Sequence, residues 1–239
     1  MVSSNAASIG FLPRADGSGS FVSGRTSIIA SVTGPMEVRI RDEHPQKAHV
    51  EVIVRPAIGV TSTREKYLEA RLLSALKPLI LRSNHPRTLI QIVVQVVQTA
   101  GTDENASTTL LLLAPAMNAA VLALLDAAVP LKSVLAATTV AFMKGSGGVV
   151  VEPGLDELKN SASTHVLAFT STGQLGFVES DGEFEYEDFE RVVEAGRGVC
   201  SVEQKGHHAM DTEAKYHAVG ELIRKIMSQK VEMDMRWRA

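Results

Sequence analysis

From Leu89 to Val97 the even positions Ile90, Ile92, Val94 and Val96 are all β-branched, while the odd ones read Leu, Gln, Val, Gln, Val. A strand with one fully buried face has this pattern. After a polar gap from Gly101 to Asn105, the Ala- and Leu-rich run from Ser107 to Val129 is too long for an ordinary strand, and it reads as a helix buried nearly all round. The rest of the chain is expected to pack on this pair. A strand that leads through a short loop into a buried helix is a common anion site, because loop amides and the helix N-terminus point at the ligand. Here the connection is Thr99-Ala100-Gly101-Thr102-Asp103-Glu104-Asn105, and two carboxylates without a cation make a poor anion cradle.

Further elements fall on either side. Arg14 to Glu37 reads as a β-hairpin turning near Ser23-Gly24-Arg25, with Gly34-Pro35 expected to stop its second strand. Gly17 and Gly19 are not followed by a helix start, so they read as a glycine turn entering a strand rather than a phosphate loop. His49 to Arg55 alternates as a strand halted by Pro56. Ser62-Thr63-Arg64-Glu65 is a capping box for a helix with its apolar stripe on Leu68, Leu72, Ala75, Leu76 and Leu79, ended or kinked at Pro78. Val134–Lys144 and Val149–Val151 form a hairpin about Gly145–Gly148. A second hairpin joins His165–Thr170 to Gln174–Val178 and ends at Asp181-Gly182. Two amphipathic helices follow, one carrying Phe189, Val192, Gly196 and Cys200, the other Tyr216, Val219, Leu222, Ile223 and Ile226.

Composition narrows the class. The 239 residues are 45% hydrophobic and 21% charged, and no Pro/Gly/Ser-rich linker divides them. One unit over 1–239 is expected. A net charge of −3 argues against a broad basic surface for nucleic acid but leaves room for a local patch. The single Cys200 permits no internal disulfide and reads as an inert core thiol. Pro115, Asn118 and Asp126 interrupt the longest apolar run, so it reads as core rather than a membrane span, and no secretory leader is visible. His207, His208 and His217 lack a recognised ligand spacing, so no metal is expected, and no hydrolase or nucleotide-loop motif accompanies them. Residues alone thus give a sheet-rich αβ domain without an evident chemical centre.

Several words in order resemble the ribonuclease PH family: Arg14-Ala15-Asp16-Gly17-Ser18, Ala30-Ser31-Val32-Thr33-Gly34-Pro35, His85-Pro86-Arg87-Thr88, Val96-Val97-Gln98, Asn118-Ala119, and Leu125-Asp126-Ala127-Ala128-Val129-Pro130-Leu131. Gln46 to Ile53 looks most like a eukaryotic exosome ring subunit of the type descended from the active archaeal partner. The resemblance implies an α/β (α+β) fold, with ribosomal-protein-S5-domain-2-like mixed sheets on a buried central helix, in two βαβ-type lobes, an N-terminal one at about 10–130 and a C-terminal one at about 131–235, closed by C-terminal helices. It also implies pairing with other RNase PH-like subunits in a hexameric ring around an RNA channel, S1/KH-type cap proteins above, no cofactor, and a nuclear, nucleolar and cytoplasmic location.

Departures from the active pattern point away from phosphorolysis. The acidic turn after the Val-Val-Gln word is replaced at Ala100, and the phosphate cradle falls on Asp103, Glu104 and Asn105. The family's supporting acid falls at about Ser163. An inactive subunit is expected, since phosphorolysis needs bound phosphate and proton assistance to the leaving oxygen. The resemblance assigns Arg39, Arg41, Lys47 and Arg64 to RNA phosphate contacts, against the plainer reading of a solvated loop and helix start. Two alternatives stay open: a phosphorolytic exoribonuclease with a relocated acid, Asp156, Glu157 or Asp181, and a metal-dependent hydrolase using His207, His208 and His217.

Overall fold

A computed structural model describes residues 5–101, 106–145, 147–200 and 219–238. The first sheet has five strands: β1 (Ala6–Ile9), β2 (Gly17–Ser23), β3 (Thr26–Glu37), β4 (His49–Arg55) and β5 (Thr88–Gln98), in the order β1-β2-β3-β5-β4. Helix α1 (Thr63–Leu76) makes the crossover from β4 to β5, which pair in parallel. Helix α2 (Ala106–Asp126) then runs through the middle of the molecule. The second sheet is antiparallel, ordered β7-β6-β8-β9, from β6 (Leu135–Met143), β7 (Val149–Val151), β8 (Ser161–Thr170) and β9 (Leu175–Gly182). A short α3 (Leu155–Lys159) precedes β8, and α4 (Tyr186–Cys200) and α5 (Val219–Asp234) complete the fold.

Periodicity explains these assignments. In β5 the even positions Ile90, Ile92, Val94 and Val96 are buried, as are Val50, Val52 and Val54 beside them in β4. Leu68, Leu72, Ala75 and Leu76 of α1 cover that face, and its start carries the capping box: the Ser62 hydroxyl accepts from Arg64 N–H while the Glu65 carboxylate accepts from Ser62 N–H at 2.7 Å. From Leu112 to Leu124, α2 is buried at every position, and its length and apolarity match a membrane span only in composition, since the fold encloses it. Leu135 to Ala141 of β6 is likewise buried at successive residues, because α2 and α4 pack on its sheet.

Three expectations are corrected, and two short elements come to light. Gly34-Pro35 does not end β3: the strand passes it to Glu37 through a register shift between Thr33 and Met36, where a missing proline N–H breaks no ladder bond. The second hairpin is longer than its apolar core, so Ser161–Thr164 belongs to β8 and Asp181-Gly182 to β9. Strand β1 and helix α3 carry too short a periodic signal to be read. The parallel crossover implied for both lobes occurs only in the first; among the described residues the second sheet pairs antiparallel throughout.

Polar ties hold the halves together. The Asp126 carboxylate at the C-terminus of α2 accepts from Ser18 N–H at 2.8 Å and from Lys230 Nζ of α5 at 2.5 Å. On the surface Glu179 of β9 accepts from Tyr67 OH at 2.7 Å and pairs with Arg71 at 3.2 Å, both from α1.

Candidate functional site

Three elements meet where β5 ends: the start of α1, the start of α2, and the β8–β9 ladder. Each places one polar group there. Arg64 sits in the first turn of α1, fixed by the Ser62 cap, and its Nε donates to Thr109 Oγ1 of α2 at 3.1 Å. Its Nη2 is buried and finds no hydrogen-bond acceptor among the described residues. A buried cationic donor left in this way favours an anion supplied from outside.

From the other side, the Asp181 carboxylate of β9 accepts from Ser107 Oγ in the first turn of α2 at 2.8 Å. A carboxylate beside a helix N-terminus is stabilised by the exposed N–H groups and takes a position that suits an anionic ligand. Asp181 lies opposite Thr164, and Ser163 lies opposite Gly182 in the same ladder. Ser163 is itself buried and hydrogen-bonded at 2.9 Å to His165 Nε2, whose Nδ1 meets Ser180 Oγ at 2.8 Å. The ring is closed over by Phe184 at 4.6 Å in an edge contact and by Phe189 at 5.8 Å.

Burial pushes the His165 imidazole down to about 4, because the charged form cannot be solvated there. The unfolded chain, with a value near 6.5, therefore binds the proton more readily in that interval, and stability falls as pH drops from about 6.5 toward 4. This one group is expected to remove about 2 kcal/mol between pH 7 and pH 4.5. Urea unfolding at the two values should show His165→Asn losing correspondingly less than the natural chain; identical losses would exclude His165 as the source.

The remaining assigned residues divide sharply. Arg39, Arg41 and Lys47 are exposed in the connection before β4, and Arg41 pairs with Asp42 at 3.4 Å. That connection lies at the Thr88 end of β5, whereas Arg64 and Ser107 lie at its Gln98 end. The ends of this 11-residue strand are ten steps apart, about 33 Å at ~3.3 Å per residue. The fold does not gather the four basic residues into one patch. Ala100 is half-buried at the end of β5, while Asp103, Glu104 and Asn105 lie outside the described residues, as do His207, His208 and His217. Among the described residues no cluster of three or more His, Cys, Asp or Glu could hold a metal ion. Of the three alternative acids, Glu157 caps its own helix through Gly154 N–H at 2.7 Å and Asp156 is exposed on α3, so only Asp181 reaches the start of α2.

Local sequence does not predict the Asp181–Ser107 and His165–Ser180 contacts, since His165 meets Ser180 through the β8–β9 register and Ser107 meets Asp181 through the packing of α2 on that sheet. The one available signal is that β8 opens on the polar run Ser161, Ser163, Thr164 and His165 before its apolar half, and that β9 carries Glu179, Ser180 and Asp181 near its end.

The model of the 3′ exoribonuclease family, domain 1 (RNase_PH), matches residues 5–130, and that of domain 2 of the same family matches residues 133–199. The exosome complex component RRP46 of Saccharomyces cerevisiae is 42% identical over 200 residues, covering 81% of this chain and 89% of that one. The exosome complex component rrp46 of Schizosaccharomyces pombe is 34% identical over 231 residues, covering 95% and 98%. Among solved structures, rice (Oryza sativa) Rrp46 superposes with a TM-score of 0.76 at 25% identity, covering 95% of this chain and 96% of that one.

Proposed function

Since the chain belongs to the 3′ exoribonuclease family of RNase PH proteins, we propose that it is a non-catalytic structural subunit of the RNA exosome core ring. In this role it pairs with other RNase PH-like subunits, carries S1/KH-type caps, and helps line the RNA path for 3′-to-5′ degradation and processing, rRNA included, in nucleus, nucleolus and cytoplasm. The names of the two yeast relatives support the assembly.

The observation that carries the loss of chemistry is Ser163. The strand position where the resemblance expects a supporting acid bears a buried hydroxyl bonded to His165, which at neutral pH supplies neither a carboxylate nor an imidazolium. The adjacent acid, Asp181, accepts from Ser107 and places negative charge where the nucleophilic phosphate would have to enter. Arg64 keeps an electrostatic task, since its Nη2 suits an RNA phosphate. The second reading, a phosphorolytic exoribonuclease with a relocated acid, rests on that same Asp181.

Co-expression with RNase PH-like ring neighbours tests the two together. Size-exclusion with light scattering should give a stable ring, and the purified chain should release no nucleoside diphosphates from RNA in phosphate buffer. Arg64→Glu in the assembled ring should leave its mass unchanged, weaken RNA crosslinking, and reduce the slope of log K against log salt by about 0.7. Release of nucleoside diphosphates that vanishes in Asp181→Asn would favour the second reading and overturn the first.

A further inference from the structure

The first sheet ends on β4, whose far edge has no strand beside it among the described residues. Even-numbered residues direct their N–H groups to this edge: Ala48 N–H donates to Arg82 O at 2.8 Å, and Val54 N–H to the Glu69 carboxylate at 3.0 Å. Between these two closures lie Val50 and Val52. By the alternation of a strand their main-chain groups face the same way, and they have no partner there among the described residues. A groove of about 350 Å³ follows this open stretch, with β4 as its floor, His49 and Glu51 on one wall and Ala70 and Leu73 of α1 on the other.

The charge along the groove is uneven. Its two carboxylates are engaged, Glu51 by Gln91 at 2.7 Å and Glu69 by both Lys66 and Val54 N–H. At the His49 end stand Lys77 and Arg82, and neither has a carboxylate partner among the described residues. The slot therefore offers alternating main-chain donors and acceptors, an apolar wall, and a cationic end.

We propose that the open edge of β4 is a docking slot for a short, extended, acidic-ended peptide segment of a partner protein, which adds as a sixth strand. Main-chain pairing at Val50 and Val52 supplies the register, an apolar side chain lies over Ala70 and Leu73, and carboxylates meet Lys77 and Arg82. Alternating N–H and C=O groups suit a peptide backbone rather than a phosphodiester chain. The closures at Ala48 and Val54 leave room for only a few paired residues, which excludes a long edge-to-edge pairing of two copies and suits a short segment. This proposal is independent of the ring reading, since a chain that bound the peptide and entered no ring would keep one and lose the other.

The probe is a fluorescein-labelled octapeptide, Gly-Val-Thr-Val-Asp-Glu-Asp-Asp, titrated against the full chain by fluorescence anisotropy at low salt. Saturable binding is expected, weakened at least tenfold by the double variant Lys77→Glu, Arg82→Glu. Only the Arg82 carbonyl takes part in the sheet-edge bond, so the side-chain change leaves that bond in place. The same peptide with alternate amides N-methylated should also bind at least tenfold more weakly in one of its two registers, and amide resonances of Val50 and Val52 should shift on titration. No saturable binding, binding indifferent to N-methylation in both registers, equal displacement by an eight-nucleotide RNA, or a dimer of this chain lost in the double variant would each overturn the proposal.

Discussion

Gly19→Val is expected to leave the protein unfolded or insoluble under conditions where the natural chain is native. A Cβ built on Gly19 stands 2.6 Å from Ala119 O, 2.7 Å from Leu122 Cβ and 2.8 Å from Ala123 N, so the obstacle is largely the backbone of α2. Gly17 is tighter still, with Ala123 O and Ala127 N at 2.3 Å. A flexible side chain could move aside, but α2 cannot, because Asp126 ties its C-terminus to Ser18 and Lys230 and its whole girth is packed. Overpacking by a methylene or two costs about 1–3 kcal/mol, and a clash with immovable backbone should exceed ~3 kcal/mol. Ser20→Ala is the control: that side chain lies on the other face, bonded at 2.7 Å to Ser8, and its loss should cost under ~1 kcal/mol. Urea midpoints for the two variants that fall within experimental error of each other would refute the close-packing account.

Those glycines show where sequence reading succeeds and where it stops. Read locally, Gly17 and Gly19 are a turn; in the fold they are alternate residues of one strand face laid on α2. A pattern was present across the two elements. Glycines two apart in a strand are about 6.6 Å apart, and Ala119, Ala123 and Ala127 recur every four residues on the helix at about 6 Å. Matching small-residue spacings predicts a backbone-close contact, but only once the two elements are known to be neighbours. The local signals were sufficient elsewhere. The β-branched alternation of β4 and β5, the Ser62 box and the apolar stripes of α1 and α4 each depend on a few adjacent residues, and each lies where the pattern puts it.

The candidate site was less readable for the same reason. Arg64 and Ser163 could be singled out through resemblance, but their chemistry is set by partners remote in sequence: Thr109 for Arg64, His165 and Ser180 for Ser163, Ser107 for Asp181. Resemblance likewise names Arg39, Arg41 and Lys47 beside Arg64, but their spacing along β5, which places them at opposite ends of that strand, comes only from the fold.

Asn118→Ala should be the most costly change that adds no atoms. Asn118 is 1% exposed, in the middle of an otherwise apolar helix, and its amide reads both main-chain groups of Ala137: Nδ2 donates to the carbonyl at 2.8 Å and Oδ1 accepts from the N–H at 2.8 Å. Odd residues of β6 turn these groups toward β7, as Thr139 does toward Glu152 N–H and Met143 toward Gly148 O, but β7 is only three residues long and stops short of Ala137. The asparagine therefore replaces a missing strand residue and, in doing so, fixes α2 to the second sheet. Alanine would leave a buried N–H and a buried C=O without partners, at about 1–3 kcal/mol each, and the loss should fall near 2–4 kcal/mol allowing for partial relaxation. Asn118→Leu fills the space without restoring either bond, so it should remain as unstable as the alanine variant to within about 1 kcal/mol, whereas a simple cavity would be cured by it. Denaturant unfolding of the three chains distinguishes the two causes: recovery in the leucine variant would mean that volume, not the paired amide, holds the lobes in register.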